Sequence, residues 1–259
     1  KNQQQSILNK NMNALETLLG HRTIREYRNK PISDDLLTKI LEAAVRGSTT
    51  GNMQLYSIII NKDEEMKKKI LPFHFNQKAV VEAPVVLTFC ADFNRFNKWC
   101  RFRGAEPGYD NFQSFMWAVI DAVIATQNAC IAAEHFGLGI CYMGTVTYNA
   151  HELIDIYHLP KGVVPVTCIT LGYPLNDPGL TDRLPLEAVI HQETYKDYSS
   201  DDIDRLYFEK ENSELTKKLL EENQLENLAK IFTEKRYTKK DNQYFSDIFL
   251  DVIKKQGFI

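Results

Sequence analysis

The sequence predicts an α+β fold in which a mainly antiparallel sheet packs around one long central helix, with helical arms at both ends. Three observations carry this. Short β-branched runs such as Tyr56 to Ile60 and Val85 to Cys90 alternate with stretches of helical periodicity. Residues 111–136 form an apolar, small-residue run with no breaker until Gly137. Beyond Asp197 the texture changes to dense mixed charge with leucines at helical spacing.

The elements follow in order. Leu8, Met12, Leu15, Leu18 and Leu19 predict a helix over residues 7–19, and a polar turn over 21–30 leads to Pro31. Ser33 is an N-cap, Asp34 and Asp35 favour a first turn, and Leu36, Leu37, Ile40, Leu41, Ala44 and Val45 form one face before Gly47 stops the helix. Strands are predicted at 56–60 and 85–90, with a short charged helix over 63–71. The central helix carries Met116, Val119, Ile120, Val123, Ile124, Gln127 and Ala132, and few charges interrupt it, so it is expected to be largely buried. Strands at 139–144 and 163–171 flank a helix over 149–158, and a loop spans 174–185.

No linker is visible, so one domain is expected over 1–259. It comprises an arm over 1–20, a core over 21–197 and a helical extension over 198–259 that packs on the outside of the domain or on a partner subunit.

Composition narrows the function. A 259-residue chain with 44% hydrophobic residues builds a core without needing a metal or disulfide. The balance of 31 basic against 34 acidic side chains excludes a dedicated polyanion binder, so no nucleic-acid partner is expected. Residues 1–10 lack the apolar core of a signal peptide and no run is expected to approach the length needed to span a bilayer, so the chain reads as cytoplasmic. Cys90, Cys100, Cys130, Cys141 and Cys168 show no metal-ligand spacing and read as small buried hydrophobes.

Gly137, Gly139 and Gly144 imitate a dinucleotide fingerprint. Tyr142 stands where its third glycine belongs, and the segment leaves a helix to enter a strand, the reverse of the required order. His151 and Glu152 lack the second histidine of a zinc helix.

The chemistry-bearing segment is His21, Arg22, Thr23, Ile24 and Arg25. Taken alone, it is either a solvated polar turn or an anion grip, since crowded guanidiniums repel without a counter-charge. Other segments accompany it: Ser48 to Gln54, Gln77, Phe89 to Arg95, Gln127 to Glu134 with Gly137 and Gly139, Tyr142 to Thr145, Leu171 to Pro174, and Leu180 to Pro185. In order and context, over residues 12–195, they closely resemble the FMN-dependent nitroreductase/flavin reductase family, in its larger, NADPH-preferring, oxygen-insensitive branch.

That resemblance implies a nitroreductase-like homodimer whose subunits exchange terminal segments. It implies that His21, Arg22 and Thr23 lie along the phosphate and ribityl chain of FMN, with Arg25 near the N1 and C2 carbonyl edge. A guanidinium there stabilises the charge of the reduced ring. Gln77 corresponds to a glutamine on the pyrimidine edge, and Thr49 to a serine beside the flavin, with Asn52 and Gln54 as polar neighbours. Tyr142, Met143, Gly144 and Thr145 correspond to the segment against the ring, and Arg183 to the phosphate clamp. Thr181 replaces the usual lysine of that clamp.

Arg236, within the basic cluster 235–240, aligns with an arginine for the 2′-phosphate of NADPH, or is part of a solvated helix end. Residues 97–111, with Trp99, Arg101, Arg103 and Tyr109, shape the acceptor pocket or cover the dimer surface. No catalytic side chain is required, because the flavin N5 carries the chemistry. The implied activity is ping-pong hydride transfer from NADPH or NADH to nitroaromatics, quinones or flavins. The alternatives are a specialised enone or dehalogenating reductase of the same superfamily and a non-catalytic flavin-binding or storage protein.

Overall fold

The computed structural model describes residues 13–259. Leu8 and Met12 of the first expected helix lie outside them. The remainder is α1 (Ala14–Leu19), which Asn13 and Glu16 close with a reciprocal capping box. There follow α2 (Asp34–Ala44), β1 (Tyr56–Asn61), α3 (Glu64–Ile70), α4 (Ala79–Glu82), β2 (Val85–Asp92), α5 (Asn94–Phe102) and α6 (Phe112–His135). Then come β3 (Gly139–Tyr142), α7 (Ala150–Ile156), β4 (Val163–Gly172), α8 (Ser200–Glu211), α9 (Glu214–Asn223), α10 (Leu228–Lys230) and α11 (Lys239–Lys255).

The chain forms two compact units: residues up to 179 together with 246–259, and residues 180–245. In the first, the sheet order is β1-β2-β4-β3, antiparallel throughout. Pro165 has no N–H to give to a ladder, and the register shifts opposite it, between Phe89 and Cys90. Both faces of the sheet are covered, which is why all eight residues of β2 are buried. On one face Leu87, Phe89, Ile140 and Ile169 meet Leu37 and Ile40 of α2 and the alanines of α6. On the other, Val86 and Cys168 meet Ile70, Val80 and Leu153. The chain's last residues return to this unit, where Val252, Ile253 and Phe258 pack with Leu55, Phe93 and Phe115.

Two expectations about α6 need correction. The helix is long and apolar enough to cross a bilayer by length and composition alone, contrary to the reading that no run approaches that length. Its composition has another cause, because it packs against α2 and all four strands. The buried face is also not the expected one. Ala118, Ala122, Ala125, Ala129 and Ala133 face inward, whereas Phe112, Met116, Ile120 and Val123 are 36–50% exposed. Small side chains let the helix axis approach a closely packed sheet, which displaces the bulky residues outward.

All five cysteines are free and buried. Burial pushes the Cys130 and Cys168 thiols up to about 12, and Cys90 higher still.

In the second unit, α8 packs with the loop before it. Lys210 pairs with Asp182 at 2.7 Å, Arg205 with Glu187, and the Tyr198 hydroxyl donates to the Ala188 carbonyl at 2.8 Å.

Candidate functional site

The segment from His21 to Tyr27 is a strand-like strap along β3. Thr23 bridges Ile140 in parallel, and the Ile24 N–H donates to the Ile140 carbonyl at 2.8 Å. Ile24 is buried against Gly139, where a Cβ would stand 2.4 Å from its side chain, so only glycine admits the strap. Tyr27 locks the other end: its hydroxyl donates to the Ile24 carbonyl at 2.7 Å and lies 2.7 Å from the Thr170 hydroxyl. Burial pushes that phenol well above its ordinary range.

With the apolar residues Ile24 and Tyr27 turned inward, the polar ones line the edge. His21 Nδ1 lies 2.6 Å from Glu134 Oε1, in the last turn of α6. Burial raises the Glu134 carboxyl, and His21 and Arg22 oppose that shift. Arg22 pairs through Nε with Asp177 at 2.7 Å and donates to the Gly20 carbonyl at 2.9 Å. Arg25 is exposed beside Cys141, whose thiol it lowers against the larger effect of burial.

The strip Tyr142 to Thr145 continues from β3 with alternating direction. Tyr142 and Gly144 are exposed, and the Tyr142 hydroxyl donates to Gln127 Oε1 at 3.1 Å. Met143 and Thr145 turn inward, so they offer a neighbouring group only their backbone. Thr145 Oγ1 lies 2.8 Å from Nδ1 of the buried His74. Through that bond the strip is joined to the loop of Gln77, which is exposed after the 3₁₀ turn Leu71–His74. Beyond Gln77, Lys67 holds the C-terminal end of α4, donating to the Ala83 carbonyl at 2.8 Å and the Val81 carbonyl at 3.2 Å.

The turn over 48–54 is held by one carboxylate. Asp121 is 1% exposed in the middle of α6, and it accepts from the Thr50 N–H at 2.8 Å, the Thr50 hydroxyl at 3.1 Å and the Leu55 N–H at 3.2 Å. Gly51, Asn52 and Gln54 all take left-handed backbone, with φ of 55°, 56° and 54°. Thr49 is half-buried at the start of this turn.

The structure therefore brings together His21, Arg22, Thr23, Arg25, Tyr142 and Gly144 around β3, with Gln77 linked through His74. Thr49 lies further along α6, near Asp121. Thr181, Arg183 and Arg236 belong to the second unit. There the Arg183 guanidinium donates to the Thr181 hydroxyl at 2.6 Å and the Asp182 carbonyl at 2.9 Å. A cleft of about 960 Å³ beside Arg183 is lined by five carboxylates, including Asp182, Asp201 and Asp204, and three cations. Arg236 ends the π-helical turn Ile231–Arg236, with its guanidinium 5.7 Å from the centre of the Phe232 ring.

Glu134, Asp121, His74 and Asp177 were not singled out by the sequence. Asp121 and Glu134 did carry a signal, as the two acidic residues of an otherwise apolar 24-residue helix. His74 and Asp177 carried none, since their partners are 71 and 155 residues away in the chain.

Known proteins resemble this chain in sequence and fold. The sequence pattern of the nitroreductase family matches residues 18–173. An FMN reductase [NAD(P)H] of Bacillus subtilis is 37% identical over 189 residues, covering 70% of this chain and 74% of the relative. An oxygen-insensitive NADPH nitroreductase of Salmonella typhimurium is 35% identical over 183 residues, covering 71% and 75%. A solved structure from Bacteroides fragilis is 51% identical, covers 94% of this chain and 99% of its own, and superposes with a TM-score of 0.93. The strap, the glycine that admits it and the antiparallel sheet all lie inside the matched residues, and the chain belongs to the nitroreductase family.

Proposed function

We propose that this chain is an FMN-dependent oxidoreductase that takes reducing equivalents from NAD(P)H and delivers them to nitroaromatics, quinones or flavins. The observation that carries the reading is the gathering of His21, Arg22 and Arg25 on one strap beside exposed Gly144. These donors suit the phosphate and the electron-rich pyrimidine edge of a flavin. Among the described residues, apart from its own chain neighbours, no atom lies within 4 Å of where a Gly144 Cβ would stand, which leaves room for close approach to its backbone. When bound, FMN supplies the hydride chemistry. The side chains bind and orient: His21 and Arg22 hold the phosphate side, Arg25 neutralises charge at the pyrimidine edge, Gln77 both donates and accepts there, and Thr23 and Thr49 serve the ribityl side.

The pairings of the structure suit this role. Glu134 holds His21 by Nδ1, which leaves Nε2 for an anion. Asp177 is 63% exposed, and it gives Arg22 a counter-charge that a phosphate can replace at little cost. In the second unit, the Arg183 guanidinium with the Thr181 hydroxyl is a phosphate-binding pair, and Arg236 carries the preference for NADPH.

A homodimer is part of the proposal. Phe112, Met116, Ile120 and Val123 form one exposed stripe along α6, and a second copy of this chain would bury it.

The test is anaerobic. The purified protein should be yellow or become so with FMN, bleach when NADPH or NADH is added, and recover its colour with a nitroaromatic or a quinone. A protein that takes up no FMN would end the reading, and one that stays yellow with both nucleotides would be a flavin carrier.

A further inference from the structure

We propose that His74 is a positioning residue of the flavin site: by its hydrogen bond to Thr145 it ties the turn that presents Gln77 to the strip carrying Gly144. The inference rests on the flavin reading above. His74 closes the 3₁₀ turn Leu71–His74, is fully buried, and lies with Nδ1 2.8 Å from Thr145 Oγ1. A phenylalanine or leucine would fill this place without the desolvation of a ring whose Nε2 has no hydrogen-bond partner among the described residues. Its retention therefore calls for something that apolar packing does not supply, namely a directional link.

The need for that link stands next to it in the chain. Phe75 and Asn76 both take left-handed backbone, with φ of 52° and 56°. For a residue such as Phe75 this conformation is strained, and it persists only where neighbours impose it. The two residues reverse the chain immediately before Gln77, so the direction of Gln77 depends on how firmly this reversal is held. Restraints on the turn come from residues 145–149, with Thr145 on His74, the Asn149 side-chain amide donating to the Phe73 carbonyl at 2.7 Å and the Tyr148 ring 6.1 Å from that of Phe75, and from the packing of Leu71 and Phe73 on the core around Val80 and Leu153. The segment that presents Gly144 is thus the anvil against which Gln77 is set. His74 holds Gln77 from both its groups: its carbonyl accepts from the Gln77 N–H at 3.1 Å, and its ring ties the turn to Thr145.

Thr145→Val removes the hydroxyl at constant shape, and Thr145→Ser keeps it. For the purified proteins the dissociation constant of FMN and the visible absorption band of the bound flavin are measured, alongside the thermal midpoint without FMN. Thr145→Val should bind FMN about tenfold more weakly, the loss expected when a misplaced Gln77 forfeits one hydrogen bond to the flavin, with a displaced band. Thr145→Ser should match the wild type within about twofold. A Thr145→Val protein with a lower thermal midpoint but wild-type FMN affinity and band would overturn the positioning role and leave the flavin reading intact. Wild-type protein that binds no FMN would overturn both. If Thr145→Val does not fold, His74→Leu is read in the same way.

Discussion

Asp121 and Thr50 are joined twice, by the Thr50 amide at 2.8 Å and its hydroxyl at 3.1 Å, so a carboxylate in the middle of the central helix holds the turn over 48–54. Its other oxygen accepts from Leu55 at 3.2 Å. Asp121→Asn keeps the shape but turns an NH₂ group toward one of these donors. Chemical denaturation should show a loss of about 2 kcal/mol, the cost of an unsatisfied buried donor. A loss under ~0.5 kcal/mol would mean that the turn holds itself.

The buried His74 makes stability depend on pH. Desolvation lowers its pKa from 6.5 to about 4. Below 6.5 the unfolded chain takes up a proton that the folded chain refuses, so stability present above pH 6.5 is lost as the pH falls toward 4. The full loss is about 3 kcal/mol. Urea titrations of the wild type at several pH values across this window should show it, and His74→Leu should show a flatter dependence.

Two glycines separate folding from binding. Gly139→Ala places a Cβ against Ile24 and should lower stability by about 1–3 kcal/mol. Gly144→Ala meets open space and should fold normally, yet bind FMN more weakly if backbone approach matters there. Thermal midpoints and FMN titrations on the same two proteins distinguish these outcomes.

Ile120 is 49% exposed on the outward stripe of α6. Sedimentation velocity should find the wild type as a dimer and Ile120→Glu shifted to monomer, because a desolvated carboxylate opposes the contact.

Arg236→Ala should raise the KM for NADPH about tenfold while leaving that for NADH within twofold. The lost interaction is a charge-assisted bond to the 2′-phosphate. Equal changes with the two nucleotides would remove Arg236 from cofactor selection.

Local signals were legible where they act locally. Asn111 caps α6 and Phe136 closes it, matching the apolar run, and Ser33 accepts from the Leu36 N–H as its position in front of two acids foretold. The strap of cations was legible because HRTIR is contiguous. The inward face of α6 was not, since hydrophobicity ranks Ile120 above Ala122 and close packing against a sheet reverses the order. The α5 helix, Asn94–Phe102, with its three cations and exposed Trp99 and Phe102, was likewise not foreseen. Asp121, Glu134 and His74 needed the fold, because burial and long-range partners give a polar side chain its role.

The buried thiols have a practical consequence. Cys90, Cys130 and Cys168 are sealed from solvent and held protonated at neutral pH, and Cys100 and Cys141 are nearly as inaccessible. Alkylating reagents should leave the native protein unmodified, so it is a silent background for site-directed labelling. A cysteine placed at exposed Gln77 would then be the one position that a maleimide dye reaches, making the loop's movements visible without first removing the natural thiols.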